Sequence, residues 1–138
     1  MFDLLLRPPA CTRIFPSKSE GTLMLDADGG LLRGTLDLLI LKALAGGPRH
    51  GYAVAEWIHT VTDGDLLVEE GPLYTALHRL EAHGWLVSEW GYSDNNRKAK
   101  YYRLSRSGRI ELRGELSRWE RYTRAVAKAI AAPEPQAG

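Results

Sequence analysis

Tyr74, Thr75, His78 and Arg79 fall within one short stretch, Gly71–Gly84, and their types suit recognition better than catalysis. A phenol, a hydroxyl, an imidazole and a guanidinium bring donors, an aromatic ring and a cation, with no carboxylate among them. Such a surface is complementary to phosphates and base edges. A second cationic group lies downstream: Arg97, Lys98, Lys100, Arg103, Arg106 and Arg109 occur between Arg97 and Ile110 without an acid. A local strip of this kind is the footprint of a phosphate-contacting surface. Both groups also suit a solvated helix and a solvated polar hairpin, so neither decides the matter alone.

The rest of the composition narrows the classes. With 138 residues, 44% hydrophobic and 25% charged, the chain suits one globular domain plus tails. Its net charge of +1 makes the distribution of charge, not its total, the informative quantity. There is no phosphate-cradling glycine loop, and His50, His59, His78 and His83 do not form a metal pattern. No catalytic residue, metal ligand or cofactor is therefore expected, and the chain reads as a non-enzyme. Cys11 is the single cysteine, which points to a reducing cytoplasm. No apolar run approaches the roughly 20 residues of a membrane span. Leu4-Leu5-Leu6, followed by Arg7-Pro8-Pro9, is too short for a signal-peptide core. A cytoplasmic protein without a membrane partner is expected.

The elements around the polar residues follow from period and punctuation. Gly71 at the N-cap, Pro72 in the first turn and Gly84 as a left-handed stop delimit one helix. Leu73, Leu77 and Leu80 share its inward face, leaving Tyr74, Thr75, His78 and Arg79 outside. Upstream, Thr35 reads as the N-cap of a helix from Leu36 to Ala45, apolar on nearly every side and so central in the domain. His50 starts a second helix running to about Thr62, with Val54, Trp57, Ile58 and Val61 inward. Asp63-Gly64-Asp65 is a turn, and Leu66-Leu67-Val68 a short extended piece. Downstream, Trp85–Trp90 reads as a strand, Tyr92–Asn96 as a turn and Lys98–Leu104 as the returning strand. Lys100, Tyr102 and Leu104 share one face of it, and Tyr101 and Arg103 the other. Helix, helix, basic hairpin in this order is the signature of a winged helix.

Ser105 or Ser107 can cap a last helix reaching about Ala131. Along it Leu112, Leu116, Trp119, Thr123, Val126 and Ile130 repeat at steps of 4, 3, 4, 3 and 4, a heptad seam. The seam points to self-association, with an intramolecular core helix as the alternative. Trp119 and Tyr122 on or beside it, with Trp57 near, offer aromatic planes for a flat effector; plain core packing is the alternative. The expected layout is a poorly ordered extension over 1–30, a winged helix-turn-helix domain over 31–104, a dimerisation helix over 105–131 and a disordered tail over 132–138. The fold class is α+β, mostly α with a β-hairpin. Met24 offers a second initiation point just ahead of the domain.

Four blocks carry a family resemblance. They are Gly34-Thr35-Leu36-Asp37-Leu38-Leu39-Ile40-Leu41, His50-Gly51-Tyr52, Glu70 through Glu81, and Arg97 through Leu104. In order and approximate spacing they resemble the PadR family of bacterial transcriptional regulators, over about residues 31 to 130, in its compact form with one short C-terminal helix. The resemblance implies a homodimeric winged-helix protein that usually represses transcription, with the third helix in the major groove, the wing on the backbone or minor groove, and C-terminal helices building the dimer. It also implies that Tyr74 contacts a phosphate, that Thr75 and His78 face base edges or sugar, that Arg79 sits beside them on the backbone, and that Lys98 and Lys100 serve the wing; Arg97, from the cationic strip, is counted with them as DNA-binding. Some members respond to phenolic acids or planar hydrophobic drugs. Pro72 departs from the family, which often has Ser or Thr there; Pro72 has no hydrogen to donate, so one backbone contact is missing. The leading reading is a DNA-binding repressor on a partly palindromic operator, released by a small aromatic or hydrophobic effector. The alternative is a winged-helix module that grips an acidic protein and no DNA.

Overall fold

The computed structural model describes residues 21–25 and 34–137. Its elements are β1 (Leu23–Leu25), α1 (Thr35–Ala43), a 3-10 turn (Leu44–Gly46), β2 (Arg49–His50), α2 (Gly51–Val61), β3 (Leu66–Val68), α3 (Glu70–Ala82), β4 (Leu86–Tyr92), β5 (Lys98–Leu104) and α4 (Arg106–Ala131). The architecture is α+β, with the β4–β5 hairpin following α3.

The centre is apolar where the sequence places it. Leu36, Leu38, Ile40 and Leu41 of α1 are buried, with Val54 and Ile58 of α2 and Leu73, Leu77 and Leu80 of α3. Leu86, Tyr102 and Leu104 close this core from the hairpin, and Leu112 from α4. Each buried leucine of this kind contributes about 1.5–3 kcal/mol, so the helices are held by packing more than by propensity.

Several local expectations need correction. Thr35 is not the cap of α1. Gly34 is, at φ 85, and Thr35 becomes the first helical residue with a buried hydroxyl that makes no hydrogen bond. A threonine resists the left-handed conformation that the entry requires, whereas glycine accepts it. Gly71 is not the cap of α3 either: Glu69 is. Pro72 tolerates this earlier start because the first-turn N–H groups have no helical partner, and the first bond runs from Leu73 N to Glu69 O at 3.1 Å. Glu69 and Glu70 at the start also suit the positive end of the helix. Val61, expected inward, is 51% exposed. It is the last residue of α2, where the chain turns away through Asp63 and Gly64.

The lead-in expected over 1–30 is not wholly irregular. Leu23–Leu25 pairs in parallel with β3, Leu23 opposite Leu66 and Leu25 opposite Val68. The Leu23 N–H donates to Asp65 O at 2.8 Å, and the Thr22 hydroxyl to Gly64 O at 3.0 Å. What was expected of the rest of that segment, Cys11 included, lies outside the described residues. In the second sheet the order is β2-β5-β4, all antiparallel, with Leu86 opposite Leu104 and Tyr92 opposite Lys98.

Candidate nucleic-acid interface

Helix α3 presents its polar face because its other face is committed. Leu73, Ala76, Leu77 and Leu80 are buried, which leaves Gly71, Thr75, His78, Arg79 and Ala82 exposed. Thr75 and His78 are exposed and adjacent on this ridge, three residues apart. Gly84 closes the helix at φ 83, with its N–H on Glu81 O at 2.9 Å.

Tyr74 and Arg79 flank the ridge and are tied to the domain. The Tyr74 ring is half-buried over the start of α2, so close that a Cβ on Gly51 would lie 2.6 Å from its hydroxyl oxygen. This explains the glycine of His50-Gly51-Tyr52. His50 meanwhile caps α2, its Nδ1 accepting from Ala53 N at 3.2 Å. The Arg79 guanidinium pairs with the Asp37 carboxylate of α1. Burial pushes the Asp37 pKa above its ordinary 3.8, although the Arg79 charge pulls it the other way. The sequence missed this tie, though an acid in the first turn of α1 and a lone arginine on α3 were its visible halves.

The wing continues the same surface. Glu81, in the last turn of α3, accepts from the Ser88 hydroxyl at 2.6 Å and lies 3.8 Å from Lys100 Nζ. Lys100 is half-buried and also sits 5.6 Å from the Tyr102 ring centre, so it joins helix to hairpin. Lys98 is exposed, 5.2 Å over the Trp90 ring. Arg97 stands at the tip, its carbonyl accepting from Ser93 N at 2.7 Å. By strand alternation Ser88, Trp90 and Tyr92 share the face of Lys98 and Lys100. Trp90 and Tyr92 are 50% and 69% exposed. Sequence reasoning passed over both as strand and turn residues; their shared parity with Lys98 was the available signal.

Tyr101, on the opposite face, braces β4. Its hydroxyl donates to Tyr92 O at 3.1 Å, and its ring meets the His50 ring edge-on at 5.4 Å. Burial, with Asp94 nearby, holds its pKa above the usual 10.0, so at neutral pH it keeps its proton. A shallow cavity of about 110 Å³ on this side touches Pro48, Glu89, Tyr101 and Arg103. That is far below the ~300 Å³ at which small-molecule pockets begin.

Helix α4 is anchored at its start. Ser105 caps it, accepting from Gly108 N at 3.0 Å, while Ser105 and Ser107 both donate to Gly84 O, at 2.6 and 2.9 Å. The seam residues divide. Leu112 is buried, and Trp119 packs partly against the core. Thr123 is half-buried with its hydroxyl on Trp119 O at 3.0 Å, while Leu116, Val126 and Ile130 are 36%, 37% and 78% exposed. Trp119 and Tyr122 lie together, ring centres 6.0 Å apart, and Trp57 packs on the core from α2. Among the described residues no helix is long and apolar enough to cross a membrane.

A helix pair whose second member faces outward, followed at once by a hairpin with cations on the same side, defines a winged helix-turn-helix protein. Residues 40–114 match the transcriptional regulator PadR-like family, and the chain belongs to that family. It is similar to a PadR family transcriptional regulator from Eggerthella lenta, 33% identical, over 73% of this chain and 86% of that one, with a TM-score of 0.61. It is also similar to a transcriptional regulator from Clostridium thermocellum, 31% identical over 70% and 93% of the two chains, TM-score 0.63. A PadR family regulator from Clostridium difficile matches at 25% identity over 71% of this chain and all of that one, TM-score 0.62. The protein is thus a transcriptional regulator by family.

Proposed function

We propose that this protein is a homodimeric, sequence-specific DNA-binding repressor, released by a small flat aromatic or hydrophobic effector. The observation that carries the DNA-binding part is the continuity of one surface, from Thr75 and His78 on α3 to Lys98 on the wing. In this reading α3 enters a major groove. The Thr75 hydroxyl and the His78 imidazole meet base edges, while Arg97 and Lys98 meet phosphates. Tyr74 and Arg79 flank the contact and hold α3 to α2 and α1. Lys100 acts through Glu81, fixing the wing to the helix and adding charge beneath it.

The dimer reading rests on α4. The stripe that buries Leu112 continues into Val126 and Ile130, which the described residues leave 37% and 78% exposed. A 26-residue helix is about 39 Å long, enough to cross the same helix of a partner; in this reading the dimer holds two copies of α3 about one DNA turn apart. Trp119 and Tyr122, beside that stripe, supply the planes on which an aromatic effector would stack.

Selection of duplex DNA from a random pool at two salt concentrations tests the proposal. A partly palindromic consensus, bound less tightly at higher salt, is expected. Placed over a promoter, that consensus should lower transcription when the protein is added. Failure to enrich any sequence, with salt-independent capture of an acidic protein instead, would overturn it.

A further inference from the structure

We propose that Trp90 and Tyr92 form an aromatic wedge that enters the minor groove beside each half-site, so that the wing reads how easily the flanking base steps unstack. The proposal rests on the DNA-binding reading above. Two large aromatics stand half or more exposed on the face of the hairpin that runs on from α3. Lys98 pairs opposite Tyr92 in the strand register and reaches over the Trp90 ring. A cation over one ring and opposite the other on the neighbouring strand puts charge at the phosphate rim and apolar surface just inside it. With α3 in a major groove, the hairpin tied to its last turn overlies the neighbouring minor groove.

The backing of these rings points the same way. Tyr101 bonds the Tyr92 carbonyl from the far face. Its ring lies 3.2 Å from where a Cβ on Gly91 would stand, so the glycine lets the brace close. His50 supports Tyr101 in turn. A wing that only touched phosphates with lysines has no need of a rigid rear support. A wedge does, because insertion between base steps pushes back on the strand that carries it. Pyrimidine–purine steps such as TA unstack readily and A-tracts resist, so the expected readout is flank preference without a base-specific hydrogen bond.

Binding is measured to duplexes that share the selected half-sites and differ only in the flanking step, TA against AA. The wild-type protein should favour TA by roughly tenfold, the order that a base–aromatic stack contributes. Tyr92→Ala should remove most of that preference, and Trp90→Ala part of it. Trp90→Phe, which keeps a ring, should restore it, and Tyr101→Phe, which loses the brace, should blunt it. Retained half-site discrimination in each variant shows that the fold and α3 are intact. A 2-aminopurine at the flanking step should brighten with the wild type and stay dark with Tyr92→Ala. A doubly substituted Trp90→Ala, Tyr92→Ala protein that keeps both the wild-type flank preference and the half-site preference overturns the wedge and leaves the DNA-binding reading standing. A protein that binds no duplex at all overturns both.

Discussion

Substituting Ala for Gly108 and for Gly114, both in α4, should change stability in opposite directions. A Cβ on Gly108 would stand 2.0 Å from the Trp85 carbonyl oxygen, against an ordinary contact of 3.4 Å or more. The helix start must therefore retreat by about 1.4 Å, the difference between those two distances. The obstacle is backbone and cannot swing aside. That retreat breaks the Ser105 N to Trp85 O bond of 3.0 Å and strains the two serine hydroxyls on Gly84 O. Overpacking of this kind costs about 1–3 kcal/mol, and each lost hydrogen bond about 0.5–1.5. Against this stands about 1 kcal/mol of better helix propensity for alanine. The net is a loss of roughly 0.5–3.5 kcal/mol, or about 2–14 °C in Tm at ~4 °C per kcal/mol. At Gly114 the nearest neighbour is Nη1 of the exposed Arg118 at 3.4 Å, a side chain that yields. There only the propensity gain of about 1 kcal/mol remains, and Tm should rise by a few degrees. Thermal and urea denaturation followed by circular dichroism, at one protein concentration, separate the two. Shifts of the same sign in both variants would show that α4 does not dock where the Trp85 carbonyl blocks it.

Other consequences can be checked together. Asp37 has a raised pKa, so its contribution to stability is fullest below its unfolded value of 3.8 and is lost as pH rises through the folded value. Asp37→Asn should flatten that part of a stability-versus-pH curve; the charges facing the site are Arg79, Glu115 and His83, all retained in the variant. Lys98→Ala should lower the slope of log affinity against log salt by about 0.9 per protomer, or about 1.8 for the bound dimer, and Lys100→Ala by less, because Glu81 already neutralises it. Equal slopes for the two variants would contradict the assigned roles. Gly51→Ala should push the Tyr74 ring off the start of α2 and weaken DNA binding several-fold, with little loss of helix content by circular dichroism. Val126→Asp with Ile130→Asp should shift sedimentation towards a single subunit; an unchanged sedimentation coefficient would remove this end of α4 from the interface.

The fold was readable because its period and its punctuation agree. Leu73, Leu77 and Leu80 recur at helical spacing, Gly84 stops the helix, and Lys98–Leu104 alternates as the strand it forms. The misplaced caps had a common cause. Thr35 and Gly71 look right by type, yet the start of a helix is decided by backbone angles and neighbouring contacts, which a residue name does not carry. The candidate site was legible as a set of polar types, but not in its pairings. Arg79 meets Asp37 across 42 residues, and Lys100 meets Glu81 only because β5 runs back past α3. Tertiary contacts at that separation leave no local period. The exposed rings of Trp90 and Tyr92 were overlooked for the opposite reason: alternation predicts a strand, and only the packed sheet reveals that their face, buried at Leu86, Tyr102 and Leu104, emerges from the core at its far end.

One pairing near the front of the chain reaches further than its three residues. Because β1 runs alongside β3, the link that leads into α3 is gripped from a segment lying ahead of the stretch shared with the family. Clip the chain after Leu25, or hang a bulky fusion just before Thr22, and the guy-rope on that link slackens or pulls. The angle at which α3 is offered then answers to β1, some forty residues away in sequence and a single hydrogen-bonded rung away in space.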